Sequence, residues 1–223
     1  MNMLQSESEG KMYKLMRTVF GVFTHFLCFG FTVFITVISQ PGSSLFSWHP
    51  FLMTLAFSFL MSEAILLFSP HSSPVSKLKH QTKSRLHWVL QASCACCAVV
   101  GLGAIFYNKR LNGKPHFSTW HGSIGVVAVF GVAVQSVGAL PLLYHKLAKG
   151  WSLAKLKRYH AASGLVVYLM GSASLLLGAC SAWYTGIVGG YAWYLTALCP
   201  TIAALVIMSQ VTDAYMAKKR LQS

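Results

Sequence analysis

Acidic side chains are nearly missing from this chain. Glu7, Glu9, Glu63 and Asp213 are the four carboxylates among 223 residues, against eighteen Lys and Arg. Charge of either sign is scarce through most of the sequence: no Asp, Glu, Lys or Arg stands between Arg17 and Glu63, or between Arg158 and Asp213. A composition of 55% hydrophobic and 10% charged residues excludes a water-soluble domain. Each uncharged stretch is long enough for two membrane crossings of about 20 residues. The chain also lacks an Asn-X-Ser/Thr sequon, a motif repeat and a low-complexity tail. Residues 1–11 are polar and lack the layout of a cleaved signal peptide, so the first crossing is expected to remain as an anchor.

Six apolar runs are present, at 19–39, 49–68, 87–107, 121–143, 160–183 and 192–212. Turn chemistry separates them, as in Gln40-Pro41-Gly42-Ser43-Ser44 and Ser69-Pro70-His71-Ser72-Ser73-Pro74. In lipid such runs must be helices, because only bonds within the segment satisfy the backbone. The expected fold is an all-α integral membrane protein: a tail at 1–18, one six-span unit at 19–212 and a tail at 213–223. The net charge of +14 reflects topology, not nucleic acid. Fifteen of the eighteen basic residues fall in the N-terminal tail, the loops after the second and fourth spans, and the C-terminus. Six spans put those four segments on one face, which the positive-inside rule makes cytoplasmic. Only Lys109, Arg110 and Lys114 are left for the other face.

All six cysteines lie within or at the edge of spans, where small buried apolar side chains are expected. Cys94 and Cys97 share a helix face, and a metal or redox role for that pair is the alternative. No Cys-X-X-Cys-His motif is present, so covalent haem attachment is excluded.

Four of the nine histidines open spans two to five, each beside an aromatic residue: Trp48-His49, His87-Trp88, Trp120-His121 and Tyr159-His160. Ionisable residues at such positions are rare and imply function. The gaps of 38, 34 and 39 residues each fit one crossing and one loop. Spans two and four run inward and spans three and five run outward. His49 and His121 are therefore expected at one depth, near the non-cytoplasmic face, and His87 and His160 at the other. Two such pairs suit two non-covalent haems with both axial positions filled by imidazole, in a core of spans two to five flanked by spans one and six.

The remaining candidates are less connected. His71, His80 and His145 fall in loops and are expected to be solvated. His25, inside the first span, is a rival ligand on a peripheral helix. His116, five residues before His121, is placed to meet a haem propionate or a substrate at the outer face. Glu63, the only acid inside a span, suits proton handling or a bond to a neighbouring helix, and Gln91 shares the helix face of His87.

Ser47-Trp48-His49-Pro50, Arg85-Leu86-His87-Trp88, Trp120-His121-Gly122 and Lys157-Arg158-Tyr159-His160 together resemble the cytochrome b561 family, as do Pro41–Pro50 as a whole and Ala192-Trp193-Tyr194-Leu195. The resemblance covers roughly residues 17 to 215. It implies six helices and two b haems, ligated by His49, His87, His121 and His160. It further implies electron transfer from cytoplasmic ascorbate to a monodehydroascorbate radical or ferric iron across the membrane. It points to the endoplasmic reticulum or a cytoplasmic vesicle as the location and leaves a homodimer open. Some relatives bind ascorbate with a lysine three residues before the third-span histidine and an arginine seven before the fifth-span one. Ser84 and Leu153 stand there in this chain, with Lys83, Arg85, Lys155, Lys157 and Arg158 nearby to attract the anion. Two other readings stay open: a non-catalytic haem-containing membrane adaptor, and a proton or metal transporter using the histidines, for which Gln135 and a few Ser and Thr would have to line the midplane.

Overall fold

The computed structural model describes residues 2–148 and 150–220. Its frame is six long helices: α1 (Asn2–Ser39), α2 (Trp48–Leu66), α3 (His80–Leu111), α4 (Trp120–Gly138), α5 (Leu153–Gly178) and α6 (Gly190–Arg220). All six contain a stretch long and apolar enough to cross a membrane, and no strand occurs among the described residues. Short helical turns at Leu140–Leu143, His145–Leu147 and Ala182–Thr185 fill the connections.

Local chemistry sets the helix ends. α1 stops where Gln40 and Gly42 take positive φ, at +48° and +95°, on either side of Pro41. Pro50 sits in the first turn of α2, where a missing N–H costs no intrahelical bond. The Thr119 hydroxyl caps α4 by accepting from the Gly122 N–H at 3.2 Å, and the Ser152 hydroxyl caps α5 by accepting from Lys155 N–H at 3.3 Å. Within α2, residues Leu55–Leu60 form a π turn, a local widening often met at functional sites.

α2 packs on α3, α3 on α4, α4 on α5, and α5 returns to α2 at the π turn, closing a four-helix core. α1 and α6 pack on each other and close one side, α1 against α2 and α6 against α5. The centre of the bundle is apolar: Ala56, Phe57 and Met61 of α2 meet Cys94 and Ala98 of α3, Ala128, Val129 and Val132 of α4, and Val167 and Tyr168 of α5. Close approach depends on small residues. A Cβ at Gly171 would collide with the Phe57 ring, and one at Gly131 would lie 2.7 Å from a Val167 methyl. Large apolar side chains such as Phe26, Val37, Phe130 and Leu195 are exposed on the outside, as a lipid-facing surface requires.

Several boundaries differ from the expected ones. α3 and α5 each begin seven residues before His87 and His160, so these histidines lie two turns inside their helices instead of opening them. α1 and α6 run on through most of the stretches read as tails. They are tied together there by an Arg17–Asp213 ion pair and by Tyr13, whose hydroxyl donates to Asp213 at 2.7 Å. Lys149 lies outside the described residues, as do the side chains of His145, Lys218, Lys219 and Arg220.

Candidate functional site

His49 and His121 are the second residues of α2 and α4, which start at the same end of the bundle. Their rings face each other with centroids 5.9 Å apart and planes at 83°. At the other end, which carries the basic loops, His87 and His160 face each other with centroids 6.2 Å apart and planes at 77°. These are the two pairs that helix direction gives. Ser174, whose carbonyl His121 contacts, lies 14 residues beyond His160 on α5, which separates the pairs by about 21 Å along the bundle.

A hydrogen bond to a neighbouring helix fixes the tautomer of three rings. Nδ1 of His49 donates to the Gly101 carbonyl of α3 at 3.1 Å, Nδ1 of His87 to the Ala64 carbonyl of α2 at 2.9 Å, and Nδ1 of His121 to the Ser174 carbonyl of α5 at 2.8 Å. A carbonyl only accepts, so the proton sits on Nδ1 and the Nε2 lone pair is free. That is the standard arrangement behind a metal-bound imidazole. Nδ1 of His160 is buried without a partner among the described residues. Metal–imidazole bonds are about 2.0 Å long. With the half-width of each ring added, one iron fits between the members of each pair. The donor set therefore suits a haem with two imidazole ligands.

Small residues shape the space around the first pair. Gly122, Gly125 and Gly171 line a partly open cleft together with His49, His121, Phe106, Lys109 and His116. His116 stacks on Phe106 at 4.0 Å and Lys109 donates to the Pro115 carbonyl at 3.0 Å, which holds both side chains at the cleft rim. Sequence reasoning picked out His116 but missed Lys109, which topology alone had assigned to the sparsely charged face.

At the other end Phe68 lies 5.4 Å from His87 and 5.6 Å from His80. Arg85, Lys155, Lys157 and Arg158 are exposed around this end, and Lys83 and Ser84 are half-buried. The structure assigns no ligand role to His25. Its Nδ1 meets the Glu63 carboxylate at 2.7 and 2.9 Å, and its Nε2 donates to the Ser72 carbonyl at 3.1 Å. Of the two roles open to Glu63 from sequence, the bond to a neighbouring helix is what the structure shows. Gln91 is not the partner of the His87 Nδ1, which the Ala64 carbonyl holds. Cys94 is fully buried in the core, and among the described residues no three His, Cys, Asp or Glu side chains gather as a metal-holding group.

Comparison with known proteins gives the same direction. The family description "Eukaryotic cytochrome b561" matches residues 48–185. The chain is 53% identical over 219 residues to the transmembrane reductase CYB561D2 of Bos taurus, covering 98% of this chain and 99% of that protein. Its counterpart from Homo sapiens matches at the same identity and coverage. A plasma membrane ascorbate-dependent reductase, CYBRD1 of Xenopus tropicalis, is 28% identical over 138 residues, which is 61% of this chain and 48% of that protein. This chain belongs to the eukaryotic cytochrome b561 family.

Proposed function

We propose that this chain carries electrons across a membrane through two b haems, one held by His49 and His121 and one by His87 and His160. Membership of the family makes it a haem b-binding transmembrane oxidoreductase. The observation that carries the finer reading is the pair of facing imidazole sets about 21 Å apart along the bundle. His49 with His121, and His87 with His160, would hold haem in such sites, and haem would supply a one-electron carrier there. The protein does the rest: backbone carbonyls orient three of the ligands, apolar side chains fill the midplane, and charged side chains gather at each mouth.

The donor in this reading is cytoplasmic ascorbate; the Xenopus relative is named an ascorbate-dependent reductase. The basic loops support a cytoplasmic position for the His87–His160 end and for both termini. Lys83, Arg85, Lys155, Lys157 and Arg158 then present a positive rim to a monoanion, raising its local concentration. At the opposite mouth Lys109 and His116 face the acceptor, a monodehydroascorbate radical or ferric iron. The resemblance to relatives supports an endoplasmic reticulum or vesicle membrane and is compatible with a homodimer. A transporter needs a polar path through the middle, where this bundle has the apolar cluster around Phe57, Val132 and Tyr168.

The test is a visible spectrum of the purified protein, oxidised, then with ascorbate, then with dithionite. Two b haems per chain, at least one of them reduced by ascorbate, is the expected result. A colourless preparation from haem-replete cells refutes the proposal. Haem that only dithionite reduces removes ascorbate as donor, and so separates an adaptor that merely keeps its haems from a reductase.

A further inference from the structure

His25 and Glu63 are the pair left unused by the site described above. Both are largely buried, with side chains 18% and 17% exposed. The Ser72 carbonyl fixes a proton on the His25 Nε2, so a second proton is shared between Nδ1 and the Glu63 carboxyl. His25 therefore grips two points of the chain that lie nine residues apart, Glu63 near the end of α2 and Ser72 in the turn after it.

The segment between those grips is the one that holds His87. Ala64 accepts the His87 Nδ1–H at 2.9 Å, and the Phe68 ring lies 5.4 Å from the same imidazole. The turn itself is laced down. The Ser72 hydroxyl donates to the Ser69 hydroxyl at 2.8 Å, and the Ser73 hydroxyl donates to the Leu67 carbonyl at 2.8 Å. Gly21 of α1 leaves the space that Ser72 occupies, since a Cβ at that position would collide with the Ser72 side chain. A buried polar pair in a membrane helix bundle is costly unless it is fully matched. Here it is matched and placed where it fixes one backbone segment.

We infer that His25 and Glu63 clamp the end of α2 so that the Ala64 carbonyl is held against His87, which makes them positioning residues for the ligand of the cytoplasmic haem. The inference rests on the haem assignment proposed above. A firm hydrogen bond at Nδ1 raises the basicity of the imidazole and favours the ferric iron behind it. Loosening the clamp weakens that bond, raises the midpoint of this centre and changes its ligand field. The other centre, whose ligands lean on Gly101 and Ser174, is left as it was.

The experiment compares the parent protein with Glu63→Gln and with the double variant His25→Leu/Glu63→Leu. The double variant replaces the pair by apolar side chains, a change that is commonly neutral or stabilising when both partners go together. Redox titration and low-temperature electron paramagnetic resonance read each haem separately, without turnover. The expected result is an upward midpoint shift and an altered low-spin signal for the cytoplasmic haem alone, smaller in Glu63→Gln than in the double variant. Unchanged midpoints and signals in the double variant, or equal shifts at both haems, overturn the clamp. A parent protein without two low-spin centres refutes the haem assignment instead.

Discussion

His121 and Ser174 are joined in both directions. The ring Nδ1 donates to the Ser174 carbonyl at 2.8 Å, and the Ser174 hydroxyl donates back to the His121 carbonyl at 3.2 Å. Only the first bond involves the ring firmly, and it uses backbone. Ser174→Ala is therefore expected to keep the outer haem and to cost about 1 kcal/mol of stability. Gly178→Val is expected to do the reverse. A Cβ at Gly178 already comes within 3.2 Å of the His121 Cε1, so a branched side chain displaces the ring. Haem content and low-spin signals of the two variants check this. Equal haem occupancy in both variants would show that ring placement tolerates the crowding.

The positive rim around the His87–His160 end predicts a charge effect on reduction by ascorbate. Replacing Arg85, Lys155, Lys157 and Arg158 together by Ala should raise the ascorbate KM severalfold and flatten its dependence on ionic strength. Reduction by dithionite should reach the same extent in parent and variant. Stopped-flow reduction at low and high salt measures both, and an unchanged KM at low salt would remove these residues from the donor site.

Close packing at the bundle waist predicts a stability effect. Gly171→Ala places a methyl group against the Phe57 ring and should destabilise the protein by about 1–3 kcal/mol. Gly30, with open space around it, is the control, since Gly30→Ala should be neutral or stabilising by about 0.5–1 kcal/mol. Thermal unfolding in one detergent compares them. Equal midpoints would mean that Phe57 moves aside without cost.

The parts of this architecture that sequence made legible are those set by the solvent. Long stretches without charge dictate the crossings, and basic residues mark one face, because lipid and water discriminate strongly between those side chains. The direction of each helix then paired His49 with His121 and His87 with His160. Tertiary contacts were beyond reach. Nothing near Glu63 in sequence points to His25, 38 residues earlier, since the pair forms only when α1 packs beside α2. The starts of α3 and α5 were misplaced for a different reason. Lys83, Arg85, Lys155 and Lys157 read as loop by polarity, yet their backbone bonds continue the helix past the apolar edge. The π turn at Leu55–Leu60 leaves no mark in composition.

The pairing itself is the claim on which the account stands. Four single variants, His49→Ala, His121→Ala, His87→Ala and His160→Ala, should each be purified and their low-spin haem signals recorded beside the parent's. His49→Ala and His121→Ala should lose the same signal and keep the other, while His87→Ala and His160→Ala should do the opposite. Loss of different signals within either pair would contradict the two-site arrangement.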